Sequence, residues 1–551
     1  LVKQTLALVD DLDDDELDKA RIAAEASFVH QLETAQGRAR TLGWNATVAG
    51  DPRFSHVYLD RIRAVRRYDV AQAVRRYLRP ENATVAAVLP KHRASSTRST
   101  VFARGAEKRV RTALGGQAAA PQIAEKRVTL ANGMVVIVRR DPSVPVVAMR
   151  AVWRGGQRVE TDAEAGASAL LARMITRGCA KLDATAVADR IDRLGGSLGG
   201  VAGRNSFGVA SEWLARTWSQ GFDLTADCLL DPQIAADELR KEQQALYADQ
   251  TAQADNPTQV AFRVFSEALY GTHPYHRDAL GTDASIAALD RAKLLAFYQK
   301  RYPISGLTLA IVGDVDVDDT LARVTKRFGT APKTTAALPS VAAPTFDGRR
   351  AEDREVYRFL DRAQAHLVIG YPGATIDAKD RFALEVLVAV LGGQSGRLFA
   401  ELRDKRALVY RVSAHSVEGV DPGFVAVYLS CSPEKLDAAV AAVRDQLATI
   451  TKDGITAEEL ERAKSYLVGS HQIAVQRRSA VANAIAYHEA YGLGWTTWAQ
   501  YDDAIKSVSL ADVAAAAQTY LVPERAITAT VRPPLATPAA KKKSKLAGSK
   551  K

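Results

Sequence analysis

Arg403 and Tyr410 stand seven residues apart in the stretch Leu391 to Val412, LGGQSGRLFAELRDKRALVYRV. One is a fixed cation, the other a phenol, and both donate hydrogen bonds. The stretch opens with a Gly-Gly turn and Ser395, a residue type that can cap a helix. An amphipathic run follows, with Leu398, Phe399 and Leu402 on one side and Arg397, Glu401 and Lys405 on the other. It closes in a β-type run, Leu408 to Val412. The pair is therefore expected to flank a helix-to-strand transition. Two donors converging there suit a peptide carbonyl, or the oxyanion it becomes during hydrolysis. An exposed Arg and a half-buried Tyr with structural roles only is the competing reading of the same residues.

The elements that must position this pair lie in a chain too long for one core, so two to four domains are expected. The formal charge of +11 is unevenly placed. Residues 93–111 carry six Arg/Lys against one Glu, and the last eleven residues, KKKSKLAGSKK, carry six Lys. These two segments account for the whole excess, so the remainder is neutral. That argues against a nucleic-acid-binding groove. Cys179, Cys228 and Cys431 form no C-x-x-C pair, so neither a disulfide framework nor a thiolate zinc site is supported. No apolar run reaches the ~18 residues that a membrane span needs. The chain opens inside an amphipathic helical pattern and is expected to be truncated at its start.

An internal repeat organises the rest. Leu17-Asp18-Lys19-Ala20 recurs as Leu460-Glu461-Arg462-Ala463, and the same offset of 443 carries Tyr77, Pro80 and Glu81 to Tyr520, Pro523 and Glu524. A weaker third copy, offset by 224 from the first, sits at Ile286 to Val312. The expected division is a domain end at 1–90, a Ser/Thr/Arg- and Gly/Ala-rich linker at 91–122, one domain at 123–335, a second at 336–533, and a basic tail at 534–551. Within them the patterns predict helices at Ala20 to Leu42 and Arg61 to Tyr77, a strand at Thr84 to Leu89, and a hairpin about Asn132-Gly133. Further helices are expected at Gly166 to Arg177, Ala235 to Asp249 and Pro257 to Leu269.

In combination these motifs resemble the insulinase/pitrilysin family of zinc metallopeptidases, the inverzincins. The Leu130 to Met134 hairpin, the Gly166 to Met174 helix, Gly271-Thr272-His273-Pro274-Tyr275 and the Arg403 stretch carry the resemblance. It implies an α+β fold of repeated two-layer α/β sandwich domains, with mostly antiparallel sheets and helices on one face. It also implies two similar halves, of which this chain resembles the end of a first and the whole of a second. The family holds Zn²⁺ with H-x-x-E-H on a helix plus a downstream Glu, the inner Glu being the general base. At the matching positions stand Ala169, Ala172 and Arg173, with Asp249 downstream. No histidine of this chain begins H-x-x-E-H, and the one close pair, His273 and His276, is interrupted by Pro274. The resemblance thus implies no metal in this chain, with zinc expected in a missing first half or a zinc-bearing partner subunit.

By the same resemblance, Arg403 and Tyr410 map to the family's contacts with the substrate carbonyl and transition state, acting across a chamber on a peptide held at the other half's zinc. The implied function is the non-catalytic, substrate-binding half of a metalloendopeptidase that degrades peptides or unfolded polypeptides. The chain alone is expected to bind no stoichiometric zinc and to cleave nothing. The alternative is a catalytically dead family member serving as a structural or peptide-binding subunit. Neither a nucleic-acid partner nor a membrane span is expected, and resemblance to two-half bacterial members suggests the periplasm.

Overall fold

A computed structural model describes residues 12–78, 124–347, 350 and 354–534. The strand expected at Thr84 to Leu89, the linker, the basic tail and the repeat partners Pro80 and Glu81 lie outside the described residues.

Among the described residues the first elements are the α-helices α1 (Asp14–Gln31), α2 (Ala35–Trp44), α3 (Phe54–Ala64) and α4 (Arg67–Tyr77). Two sequence expectations change here. The helix foreseen from Ala20 to Leu42 is broken after Gln31, where the Thr34 side chain accepts from the Gly37 N–H and starts a new helix. The helix foreseen from Arg61 to Tyr77 is broken by extended backbone at Val65 and Arg66. Asp69 reaches back to the Arg66 N–H at 2.9 Å, so a local cap outweighs continuous helix propensity.

The first sheet has six strands in the order β1-β2-β8-β3-β7-β6. These are β1 (Glu125–Thr129), β2 (Val135–Arg140), β3 (Val146–Arg154), β6 (Ser197–Ala202), β7 (Ser206–Leu214) and β8 (Thr308–Gly313). A two-residue pair, β4 (Gly178–Cys179) with β5 (Leu182–Asp183), stands apart. The helices between them are α5 (Ala167–Met174), α6 (Ala184–Leu194), α7 (Trp218–Leu230), α8 (Ala236–Asp255), α9 (Pro257–Tyr270), α10 (Asp283–Ala288) and α11 (Arg291–Arg301), with α12 (Val317–Phe328) after β8. The second sheet has five strands, ordered β11-β12-β10-β13-β9. They are β9 (Glu355–Phe359), β10 (Ala365–Pro372), β11 (Arg411–Val417), β12 (Phe424–Cys431) and β13 (Ile527–Arg532). With them come α13 (Arg381–Leu391), α14 (Leu436–Asp453), α15 (Ala457–Ala474), α16 (Arg478–Ala490), α17 (Tyr501–Ser507) and α18 (Leu510–Tyr520). Among the described strands only β2–β8 and β13–β9 pair parallel, so both sheets are mostly antiparallel.

Alternate residues of one strand point to opposite faces, and the strands use both. On β2 and β3, Val136, Val138, Val147, Met149 and Trp153 enter the core beneath the first unit's own helices. Their neighbours Ile137, Ala148 and Val152 face the other way and pack on Val481, Ala482, Ile485 and Ala486 of α16. The second sheet does the converse. Its Leu367 and Ile369 face α13 and its neighbours, while Val368, Ala426, Ala529 and Val531 receive Val260, Ala261, Val264 and Phe265 of α9. Each unit therefore keeps its helices on one face of its own sheet and lends one helix to the back of the other. Gly370 is needed for this, because a Cβ there would lie 2.4 Å from the Phe265 ring.

The repeat survives as geometry. Adding the offset of 443 to the starts of α1, α2 and α4 gives the starts of α15, α16 and α18, and α1 and α15 are both 18 residues long.

Candidate active site

Ala169, Ala172 and Arg173 lie on α5 at the spacing that puts three residues on one helical face. All three are half-buried, while Ala167, Leu170, Leu171 and Met174 fill the core behind them. The helix start is held from beneath by Glu160, whose carboxylate accepts from the N–H of Gly166 at 3.0 Å and of Ser168 at 2.8 Å. Burial pushes the Glu160 carboxyl up to about 7, and the hydrogen bonds from Ser168 and Gly166 pull against that. On the exposed side, strand β6 presses against the helix. A Cβ at Gly200 would lie 2.1 Å from the Ala172 carbonyl oxygen, so only glycine lets them meet.

Helix α8 brings Asp249 to this face. A charge-assisted hydrogen bond joins the Arg173 guanidinium to Asp249. Arg173 also stands 3.7 Å from Glu242, which Arg177 holds at 2.6 Å. Glu242 has a side chain only 9% exposed, and sequence reasoning passed over it. Its signal was available: Glu242 and Asp249 are seven apart on one helix and so share a face. Ala169 and Ala172 offer no donor atom, and a guanidinium occupies the carboxylate that remains. The set does not fit Zn²⁺, which takes three or four N, S or O ligands.

Arg403 and Tyr410 flank a different transition from the one expected. Residues Phe399–Lys405 form a π-helical turn, and the strand begins at Arg411, three residues later than the apolar run from Leu408 implied. The run is apolar because Leu408 and Val409 pack into the second core. Tyr410 is thus the residue before β11. Its N–H donates to the Ser430 carbonyl at 2.8 Å, and its side chain is 60% exposed. Arg403 is also exposed, its guanidinium 4.7 Å from the centre of the Phe399 ring. Leu398 and Leu402 are fully buried, and Arg397 is clamped to Glu459 at 2.5 and 2.7 Å, which fixes the turn from both ends. Between the pair, Ala407 holds φ +47°, a left-handed conformation costly for a residue with a Cβ. Lys435 donates to its carbonyl at 2.7 Å. A π-turn and a strained alanine between the two donors recur at functional sites more than elsewhere.

The His273 motif is a clasp between units. Arg158 binds Asp421 at 2.5 and 3.1 Å, and His273 Nε2 meets the same carboxylate at 3.1 Å. His273 Nδ1 accepts from the Tyr275 N–H at 3.2 Å, and His276 turns to the His273 carbonyl at 2.7 Å. Both imidazoles are therefore engaged within the fold.

The model of the insulinase family (peptidase family M16) matches residues 135–283, and that of the peptidase M16 inactive domain matches residues 288–467. An uncharacterized zinc protease of Mycobacterium leprae is 30% identical over 355 residues, covering 62% of this chain and 77% of that protein. The chain belongs to the insulinase family, M16. An uncharacterized zinc protease of Streptomyces coelicolor is 29% identical over 404 residues, 72% of this chain and 87% of that M16 relative. Among solved structures, the peptidase M16 inactive domain from Pseudomonas fluorescens superposes with a TM-score of 0.69 at 24% identity, covering 75% of this chain and 99% of that one. A protease from Helicobacter pylori gives 0.69 at 21% identity, over 75% and 100%. These two establish the fold, repeated α+β units of M16 type.

Proposed function

We propose that this chain is the non-catalytic, substrate-binding half of an M16 metalloendopeptidase acting on peptides or unfolded polypeptides. The family's zinc site is degenerate here, and a partner half supplies H-x-x-E-H, the metal and the activated water. Arg403 and Tyr410 then steady the scissile carbonyl from across the chamber. The observation that carries this reading is the contrast between two sets of residues. At α5 a guanidinium closes the ligand face, whereas the two donors at the π-turn are exposed on a tightly anchored frame.

The first four helices support a partner half. Leu42 of α2 corresponds by the repeat to Ile485 of α16, which is fully buried against the first sheet, yet Leu42 is 41% exposed. Trp44 beside it is 67% exposed. An apolar α2 face left open in this way is a surface that a partner half would cover. Peptide would bind extended, adding a strand to a sheet edge. The periplasm is the proposed compartment. Among the described residues no helix is long and apolar enough to cross a membrane.

Arg403 lying over its own Phe399 favours a second reading, a catalytically dead scaffold subunit. One experiment separates them. The chain is combined with an H-x-x-E-H half and cleavage of an unfolded polypeptide is followed. Activity that depends on this chain supports the first reading; equal activity without it sinks that reading.

A further inference from the structure

A second set of ligand-type side chains lies away from α5, where the first four helices meet the first sheet. His30 lies in the last turn of α1, Glu33 follows in the loop after it, and Glu212 projects from β7. His30 Nδ1 is 3.0 Å from Oε1 of Glu33 and 3.7 Å from Oε2 of Glu212, and the three donor atoms lie within 4.8 Å of one another. One imidazole nitrogen carries one proton and satisfies one carboxylate, so the second carboxylate is left facing the first. A cavity of about 590 Å³, lined by His30 and Glu212, opens on the cluster and gives room for water.

The repeat tells what these residues are not for. At the corresponding positions 443 residues on stand Ile473 and Gln476. Gln476 makes the same helix-start contact that Glu33 makes, donated by Ala35 N–H at 2.8 Å where Glu33 receives Arg478 N–H at 3.1 Å. That contact needs an acceptor. It needs neither a carboxylate nor an imidazole one turn before it.

We propose that His30, Glu33 and Glu212 form a divalent-cation site of the zinc class that pins α1 to the first sheet. One imidazole nitrogen and two carboxylate oxygens supply three ligands, and water from the cavity completes a tetrahedron. The ion takes the Nδ1 lone pair, and the proton shared with Glu33 leaves. Arg150 and Arg477 act on Glu212 and His30 from β3 and from the residue before α16, so selectivity rests on ligand geometry rather than bulk negative charge. This site uses no residue of the proposed peptide-contact pair, and a bound equivalent would correct the expectation that the chain holds no metal.

The full chain, freed of metal with a chelator, is titrated with Zn²⁺ alone by calorimetry, and its melting temperature is read with and without the ion. One equivalent is expected, with a rise in melting temperature. Glu212→Gln and His30→Ala should each weaken binding by about 100-fold or more, as loss of a direct ligand exceeds the usual cost of losing a supporting one. Arg525→Ala, whose ion pair with Asp347 lies in the second unit, should leave it unchanged. Absence of saturable binding to the native chain, or binding that both ligand variants retain, overturns the site and leaves an ion pair only.

Discussion

Glu33 and Gln476 occupy equivalent positions in two copies of one repeat, and each caps the helix that follows the other. Glu33 Oε2 accepts from Arg478 N–H at 3.1 Å, and Gln476 Oε1 accepts from Ala35 N–H at 2.8 Å. The two contacts exchange under an approximate two-fold rotation, as the contacts of an isologous interface do. The axis relating the first four helices to the second copy therefore passes between α2 and α16. Glu33 is almost wholly buried, so Glu33→Ala strands both a backbone donor and His30. It should cost about 1–3 kcal/mol. Gln476→Ala, at the more exposed contact, should cost less, and the two together should be non-additive. Urea unfolding of the two single variants and the double variant measures this; full additivity would deny that the contacts act as one.

In the proposed assembly with an H-x-x-E-H half, Arg403→Ala and Tyr410→Phe should each lower kcat/KM on an unfolded polypeptide with zinc content unchanged. Loss of one preorganised donor to a developing oxyanion costs about 10²–10³-fold in rate. Both side chains are exposed, so neither variant should move the unfolding midpoint. Unaltered kinetics in both would make the pair structural.

The repeat units and the helix carrying Ala169, Ala172 and Arg173 were legible in the sequence, because period and offset survive divergence. The loan of α9 and α16 between units was not. A helix with one apolar face reads the same whichever sheet it covers, and only the unbroken apolar runs at 135–138, 146–149 and 367–369 hinted at burial on both sides. The start of β11 was placed three residues early, with Tyr410 inside the strand rather than just before it, since an apolar run signals burial and Leu408, half-buried, and Val409, buried, pack into the core before the strand begins. Glu33 and Glu212 are 179 positions apart, and no local pattern joins them.

The frame around Ala169, Ala172, Arg173 and Asp249 should accept a metal once it carries ligand side chains. α5 keeps its helical start under Glu160, and α8 keeps Asp249 opposite. Replacing Ala169→His, Ala172→Glu, Arg173→His and Asp249→Glu together restores two imidazoles four apart and a facing carboxylate. The variant should take up one zinc that persists when His30→Ala is added. Glu242 then keeps Arg177 as its partner, so the fold should hold. Metal analysis after gel filtration decides this, and a folded variant without the added zinc would show that α5 and α8 have drifted apart.

Glu160 should give the chain a pH signature. Its folded-state value of about 7 lies above the ordinary 4.5, chiefly through burial. Between those values the folded state binds the proton and the unfolded state does not, so stability falls as pH rises. Below about 4.5 both states are protonated and the contribution is whole; above 7 both are ionised and it is gone. The window spans about 2.5 pH units at 1.36 kcal/mol each, so the loss is on the order of 3 kcal/mol. Glu160→Gln removes the titration while keeping one acceptor for the helix start. Urea midpoints of the native chain should drop from pH 5 to pH 8, and those of the variant should stay flatter. Parallel curves for the two would place the titration elsewhere and leave the Glu160 carboxylate ionised at the head of α5 throughout.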